Sequence, residues 1–250
     1  MITLIRAEFL KLRTTQVWFW LLLVSIAISA LIVVASLASS NGVRTASDVP
    51  QMFASATTAY LPVFVLGVLG VTTEFRHQTI TPTVLGTPSR WALTGAKMLA
   101  YAIVGAAYSL ICILVQVLIA LPWLSAKGIH VSVTGDHIPR ALVGVFIVVA
   151  LFGIVGIGVG ALVRNQIAAV SIGLVFLLVL QGIIAIIPVI KYAYPYLPGG
   201  AAAAIVHTTG SEQFNNIHLL PAFAGGAVLL AWAVVTAVLG ASITMNQDIT

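Results

Sequence analysis

Ala141–Val163 reads ALVGVFIVVALFGIVGIGVGALV, 23 residues without a charge. Within it, Gly156-Ile157-Gly158-Val159-Gly160-Ala161 matches the G-x-G-x-x-A spelling of a dinucleotide-binding turn. That motif needs a strand before it and a helix after it. Here apolar residues continue on both sides for longer than any strand, at the ~20 residues that a helix needs to cross a bilayer core. The stretch therefore reads as a membrane span. Gly153, Gly156 and Gly160 fall on one helical face, where missing side chains let a neighbouring helix approach closely.

The rest of the chain follows the same pattern. Of its 250 residues 60% are hydrophobic and only 7% charged, and the mean hydropathy is +1.13. Soluble domains carry about 25% charged residues, so lipid must solvate much of this surface. Six apolar runs predict six transmembrane helices: about 17–37, 55–73, 98–121, 141–163, 167–190 and 222–244. The second reaches spanning length only by taking in residues before Ala59, so its start is the least defined boundary. The first follows Arg6, Lys11 and Arg13, but it is longer than the ~7–15-residue apolar core of a secretion signal and reads as an uncleaved span. The fold class is an all-α integral membrane protein, with the whole chain forming one transmembrane domain.

With the N-terminus in the cytoplasm, Arg6, Lys11, Arg13, Arg76, Arg90, Lys97 and Arg164 lie inside, while Arg44, Lys127, Arg140 and Lys191 lie outside. This bias places both termini in the cytoplasm. The inner loop 74–97 is long, and Arg164-Asn165-Gln166 is barely a turn. The outer segment 191–218 carries Ala201–Val206 between Pro198-Gly199-Gly200 and Thr208-Thr209-Gly210. It predicts a short re-entrant helix, tolerated at membrane depth only when packed against protein. Tyr192, Tyr194 and Tyr196 before it suit an interfacial aromatic belt. At the N-terminus, Ile2, Ile5, Phe9 and Leu12 share a face with Glu8 and Lys11 opposite, the layout of an interfacial helix lying along the membrane.

Catalytic and metal constellations are missing from the sequence. There is no G-x-x-x-x-G-K-[ST] phosphate loop and no H-E-x-x-H. His130, Asp136 and His137 share an outer loop and read as solvated side chains rather than a metal site. Cys112 is the only cysteine, which excludes an internal disulfide. The net charge of +5 comes from scattered cations, not the clustered basic face that nucleic acid requires. None of the 11 Lys and Arg or 6 acidic residues lies in the middle of a predicted span. Ion-coupled transporters mark their path with such groups, so their absence points to energy delivered from outside the chain. Gly105, Ser109, Cys112 and Gln116 form a stripe on the third span, and Gln181 lies in the fifth. Ser109, Gln116 and Gln181 either line a substrate path or join helices.

The inner loop is the richest segment: Gly70, then Glu74-Phe75-Arg76-His77-Gln78-Thr79-Ile80, then Thr87-Pro88-Ser89-Arg90 and Lys97. Thr81-Pro82 and Thr87-Pro88 predict helix breaks. This spelling, with Arg6–Arg13 at the start and six spans around it, resembles the permease subunits of type 2 ABC exporters, the ABC-2 family of bacterial drug, bacteriocin and polysaccharide exporters. The resemblance implies a permease in the bacterial cytoplasmic membrane that moves a lipophilic or amphipathic cargo (drug, peptide or lipid) outward. Two separate ABC ATPase subunits would hold ATP and magnesium, and a second permease, identical or homologous, would complete the path. By the same resemblance Glu74, Arg76, Thr79 and Arg90 belong to a coupling helix that meets the ATPase, with Arg164 and Asn165 forming a smaller second contact. A secondary transporter or channel-like protein is the alternative.

Overall fold

The computed structural model describes residues 2–39, 43, 45, 48–77, 90–129, 138–163, 165–206, 213–214 and 217–245. Thr79, Thr81-Pro82, Thr87-Pro88, His130, Asp136, His137, Arg164 and Thr208-Thr209-Gly210 lie outside the described residues. The backbone of Arg90 is described, but its side chain is not.

The six expected spans are present as six helical runs long and apolar enough to cross a membrane. α1 (Ile2–Thr14) precedes α2 (Val17–Ala38), the first span. The second span begins earlier than the sequence suggests, because α3 (Val49–Ala54) leads through a tight 3-10 segment, Ser55–Ala59, into α4 (Tyr60–Arg76). The hydroxyls that lower the hydropathy there are the reason. Ser55, Thr57 and Thr58 return their protons to the carbonyls of Met52, Ala54 and Ser55, so polar residues sit inside the helix without unmet hydrogen bonds. α4 also runs on through Glu74 to Arg76, and α5 (Arg90–Ala126) starts well before Met98. The interhelical connection is thus shorter than 74–97, and Glu74 and Lys97 are both helical residues.

α6 (Ile138–Leu162) is the fourth span. The fifth combines α7 (Gln166–Val175), one π-helical segment (Phe176–Leu180) and α8 (Gln181–Ile186). It stops short of Ile190 because Ile187 precedes Pro188, which disfavours the α region, and Ile187 is extended with ψ 117°. A 3-10 turn over Lys191–Tyr196 leads to α9 (Pro198–Val206), then to β1 (Gln213–Phe214) and β2 (Ile217–His218), an antiparallel pair. α10 (Ala222–Met245) carries the sixth span. The three tyrosines do not act alike: Tyr192 and Tyr196 are exposed, whereas the 3-10 turn buries Tyr194, and that burial raises its phenol pKa.

α6 is the post around which α4, α5 and α10 pack. Its glycine face does what the sequence suggests. A Cβ on Gly160 would stand 2.8 Å from the Val68 carbonyl oxygen, and one on Gly67 2.5 Å from that of Gly153. Backbone meets backbone along the α4–α6 seam. The outward faces stay apolar: Leu31, Leu118, Ile172 and Phe223 are all exposed, a surface that lipid rather than water can cover.

α6 also defines two ends of the bundle. Near its start, Gly144 abuts Ile205 of α9, and Ile138 joins Leu37, Phe53 and Leu124 in a second core cluster. There the Lys127 ammonium donates to the Leu37 carbonyl, closing the end of α2. At its other extremity Gly160 meets Val68, two turns before Glu74.

Candidate functional site

Four charged side chains converge at the Glu74 end. Lys97 Nζ lies 2.5 Å from Glu74 Oε1 and 2.9 Å from Glu8 Oε1, and Lys11 Nζ lies 2.6 and 2.9 Å from the same two atoms. The groups come from α1, α4 and α5, and the set is formally neutral. Glu8, Glu74 and Lys97 are buried, while Lys11 is about half exposed. An ion withdrawn from water loses several kcal/mol of hydration, so such charges persist at this depth only when paired. The half-exposed Lys11 shows the balance directly: burial pulls its pKa down, but Glu74 and Glu8 outweigh that and raise it above 10.5. Glu8 Oε2 has no hydrogen-bond partner among the described residues.

This arrangement corrects the expected seating of the N-terminal helix. Its apolar face was to carry Ile2, Ile5, Phe9 and Leu12, with Glu8 turned away. Instead Glu8 is buried beside Leu12. Pairing with two lysines makes the buried carboxylate tolerable, and α1 docks on α5 through it. Lys97 is likewise two turns inside α5. Tyr108 fastens the next segment to the same helix, donating its hydroxyl proton to the Trp18 carbonyl.

Arg76 is two residues beyond Glu74, on the opposite face of α4, and is exposed. Its Nη1 stands 3.5 Å from Gln166 Oε1, at the limit of a hydrogen bond. Asn165 is the N-cap of α7, where its Oδ1 accepts from Ile167 N at 3.0 Å and Ala168 N at 3.1 Å. Phe75, Arg76, Asn165, Gln166 and Ile167 line a cavity of about 650 Å³ between the ends of α4 and α7. Glu74, Arg76 and Asn165 therefore share one end of the bundle, with Glu74 turned into the ion cluster and the other two lining this cleft.

Ser109, Gln116 and Gln181 lie elsewhere. Ser109 is buried and donates to Ala106 O of its own helix at 2.8 Å. The Gln116 amide is satisfied with its oxygen accepting from Ser29 Oγ (3.1 Å) and Ala56 N (3.2 Å), and its nitrogen donating to Phe53 O (3.3 Å). It joins three helical segments, a role that suits its complete burial. Gln181 Oε1 accepts from Gly199 N at 2.7 Å. Among the described residues no three His, Cys, Asp or Glu side chains group for a metal ion. Glu8, Lys11 and Lys97 are the site residues that sequence reasoning passed over. The local clue was the Glu8–Lys11 spacing of three, which puts opposite charges on adjacent turns.

A six-span bundle with a buried ion cluster at one end agrees with one further observation: the sequence profile of the ABC-2 family transporter protein matches residues 4–181. The chain belongs to the ABC-2 transporter family. It is accordingly a multi-pass membrane protein and the membrane subunit type of an ABC transporter, the type that associates with ABC ATPase subunits. No curated protein matches the chain. The matched range takes in the whole ion cluster, the cleft and Gln181 of this ABC-2 permease.

Proposed function

We propose that this ABC-2 permease exports a lipophilic or amphipathic cargo across a bacterial cytoplasmic membrane, driven by ATP and magnesium on separate ATPase subunits. Both termini lie in the cytoplasm, so the Glu8–Lys11–Glu74–Lys97 end faces the ATPase. Two ATPases and a second permease complete the transporter, and α9 re-enters the membrane from outside. The ion cluster is the observation that carries this reading. It joins α1, α4 and α5 into one body beside the cytoplasmic connection between α4 and α5. A displacement of that connection is then passed to two spans and the N-terminal helix together, as a rigid-body switch requires. Arg76, Thr79 and Arg90 make the main contact with the ATPase, and Arg164 and Asn165 the smaller one.

The test is copurification with the ATPase encoded beside the permease, followed by a screen for cargo that stimulates its ATPase rate in proteoliposomes. Cargo transport that stops on ATP depletion and ignores a protonophore is the expected result. Transport that survives ATP depletion and collapses with the protonophore would overturn the proposal in favour of a secondary transporter.

A further inference from the structure

The far end of the bundle holds a second polar joint. α9 is packed between two spans: Cβ atoms at Gly144 of α6 and Gly225 of α10 would come within 3.0 Å of Ile205 O and 2.8 Å of Ala201 O, respectively. Its entry, Tyr196–Leu197–Pro198–Gly199, is bonded from both sides. Trp232 Nε1 of α10 donates to Tyr196 O at 2.9 Å, and Gln181 Oε1 of α8 accepts from Gly199 N at 2.7 Å. The rings of Phe176 and Trp232 lie 6.3 Å apart, so the fifth and sixth spans also meet beside this entry.

Two features set Gln181 apart from a routine interhelical amide. It directly follows the π-helical segment Phe176–Leu180, whose extra residue per turn resets the direction in which later side chains point. Its Nε2 is buried without a partner among the described residues, so the side chain keeps the Gly199 bond while leaving a donor unsatisfied there, a costly state.

We infer that Gln181 and Trp232 are positioning residues that clamp the entry of α9 from the fifth and sixth spans and so set where α9 sits between α6 and α10. Movement of either span is thereby imposed on α9. The clamp rests on the exporter reading only for its part in transport; its geometry does not.

The test uses the full-length permease in open membrane fragments with Cys112→Ala and a reporter, Ala203→Cys, on the half-buried side of α9. Reaction with a polar maleimide is timed. Gln181→Ala and Trp232→Phe each remove one bond, and Gly199→Ala drives a Cβ into Gln181 Oε1. Each should speed labelling about two- to twelvefold, the range for one lost hydrogen bond. The double variant Gln181→Ala/Gly199→Ala should be no faster than either single one, because both break one contact. The same variants with native Cys112, which is buried, and no reporter should label as slowly as wild type. Unchanged α9 labelling, multiplicative effects in the double variant, or a parallel rise at Cys112 would each overturn the clamp. If Gln181→Ala does not accumulate, Gln181→Met keeps the volume and removes the same bond. The assay needs neither ATPase nor cargo, so its failure leaves the exporter proposal standing, and the reverse holds too.

Discussion

Replacing Lys97 with methionine probes the ion cluster most sharply. The substitution keeps the length of the side chain and deletes the ammonium that lies 2.5 Å from Glu74 Oε1 and 2.9 Å from Glu8 Oε1. Lys11 alone would then face two carboxylates, both buried. Breaking a buried ion pair by removing one partner costs about 3–5 kcal/mol. For a chain of 150–250 residues each kcal/mol shifts the unfolding midpoint by about 2–4 °C, so Lys97→Met should lower Tm by roughly 6–20 °C. The charge-balanced double variant Glu8→Gln/Lys97→Met leaves the Lys11–Glu74 pair at 2.6 Å and should recover at least about half of that loss. Thermal unfolding of the detergent-purified permease, followed by size-exclusion fluorescence, measures both. A Tm for Lys97→Met within about 2 °C of wild type, or a double variant no more stable than the single one, would refute the claim that pairing holds these charges in place.

Arg76→Ala should leave Tm unchanged, because the side chain is exposed and at the hydrogen-bond limit from Gln166, yet uncouple the partner's ATPase rate from cargo; wild-type stimulation would remove Arg76 from the coupling contact. Asn165→Ala deletes two bonds to the first turn of α7 and should cost about 1 kcal/mol, read as a drop of a few degrees in the same melts. Gly67→Val places a branched side chain against the Gly153 carbonyl; overpacking of about 1–3 kcal/mol or more should appear as lower Tm, whereas Gly182→Ala, with open space at its Cβ, should be silent. The raised pKa of Lys11 has a definite sign: its stabilisation is fully present below 10.5 and lost as pH rises through the higher folded value. Tm should therefore fall in that alkaline window, and Lys11→Met should lack that part of the fall.

The spans were legible because each writes its own signature locally, as a run of apolar residues long enough to cross a bilayer. The start of the second span was less so, since Ser55, Thr57 and Thr58 look like loop until their hydroxyls are seen to close on the preceding turn. The ion cluster was hidden for a different reason. Glu8 finds its buried partner Lys97 at a separation of 89 residues, and Lys11 finds Glu74 at 63. No periodicity of α1 encodes which face will meet a lysine from another helix. Gln181 was visible as a polar residue in a span, but whether it would meet cargo or backbone depended on where Gly199 came to rest.

The glycine seam between α4 and α6 has a mechanical consequence. Side chains yield by changing rotamer, whereas a carbonyl 2.5 Å from where a Cβ would stand leaves nothing soft between the two helices. The pair therefore behaves as a stiff plank. Gly160 and Gly144, at its two ends, are separated by 16 residues of α6, or about 24 Å of helix at 1.5 Å per residue. A tilt of about 5° at the ion cluster would sweep the Gly144 end through about 2 Å. Ile205 rests on that end, so a small rocking beside the lysines becomes a methylene-sized displacement under α9.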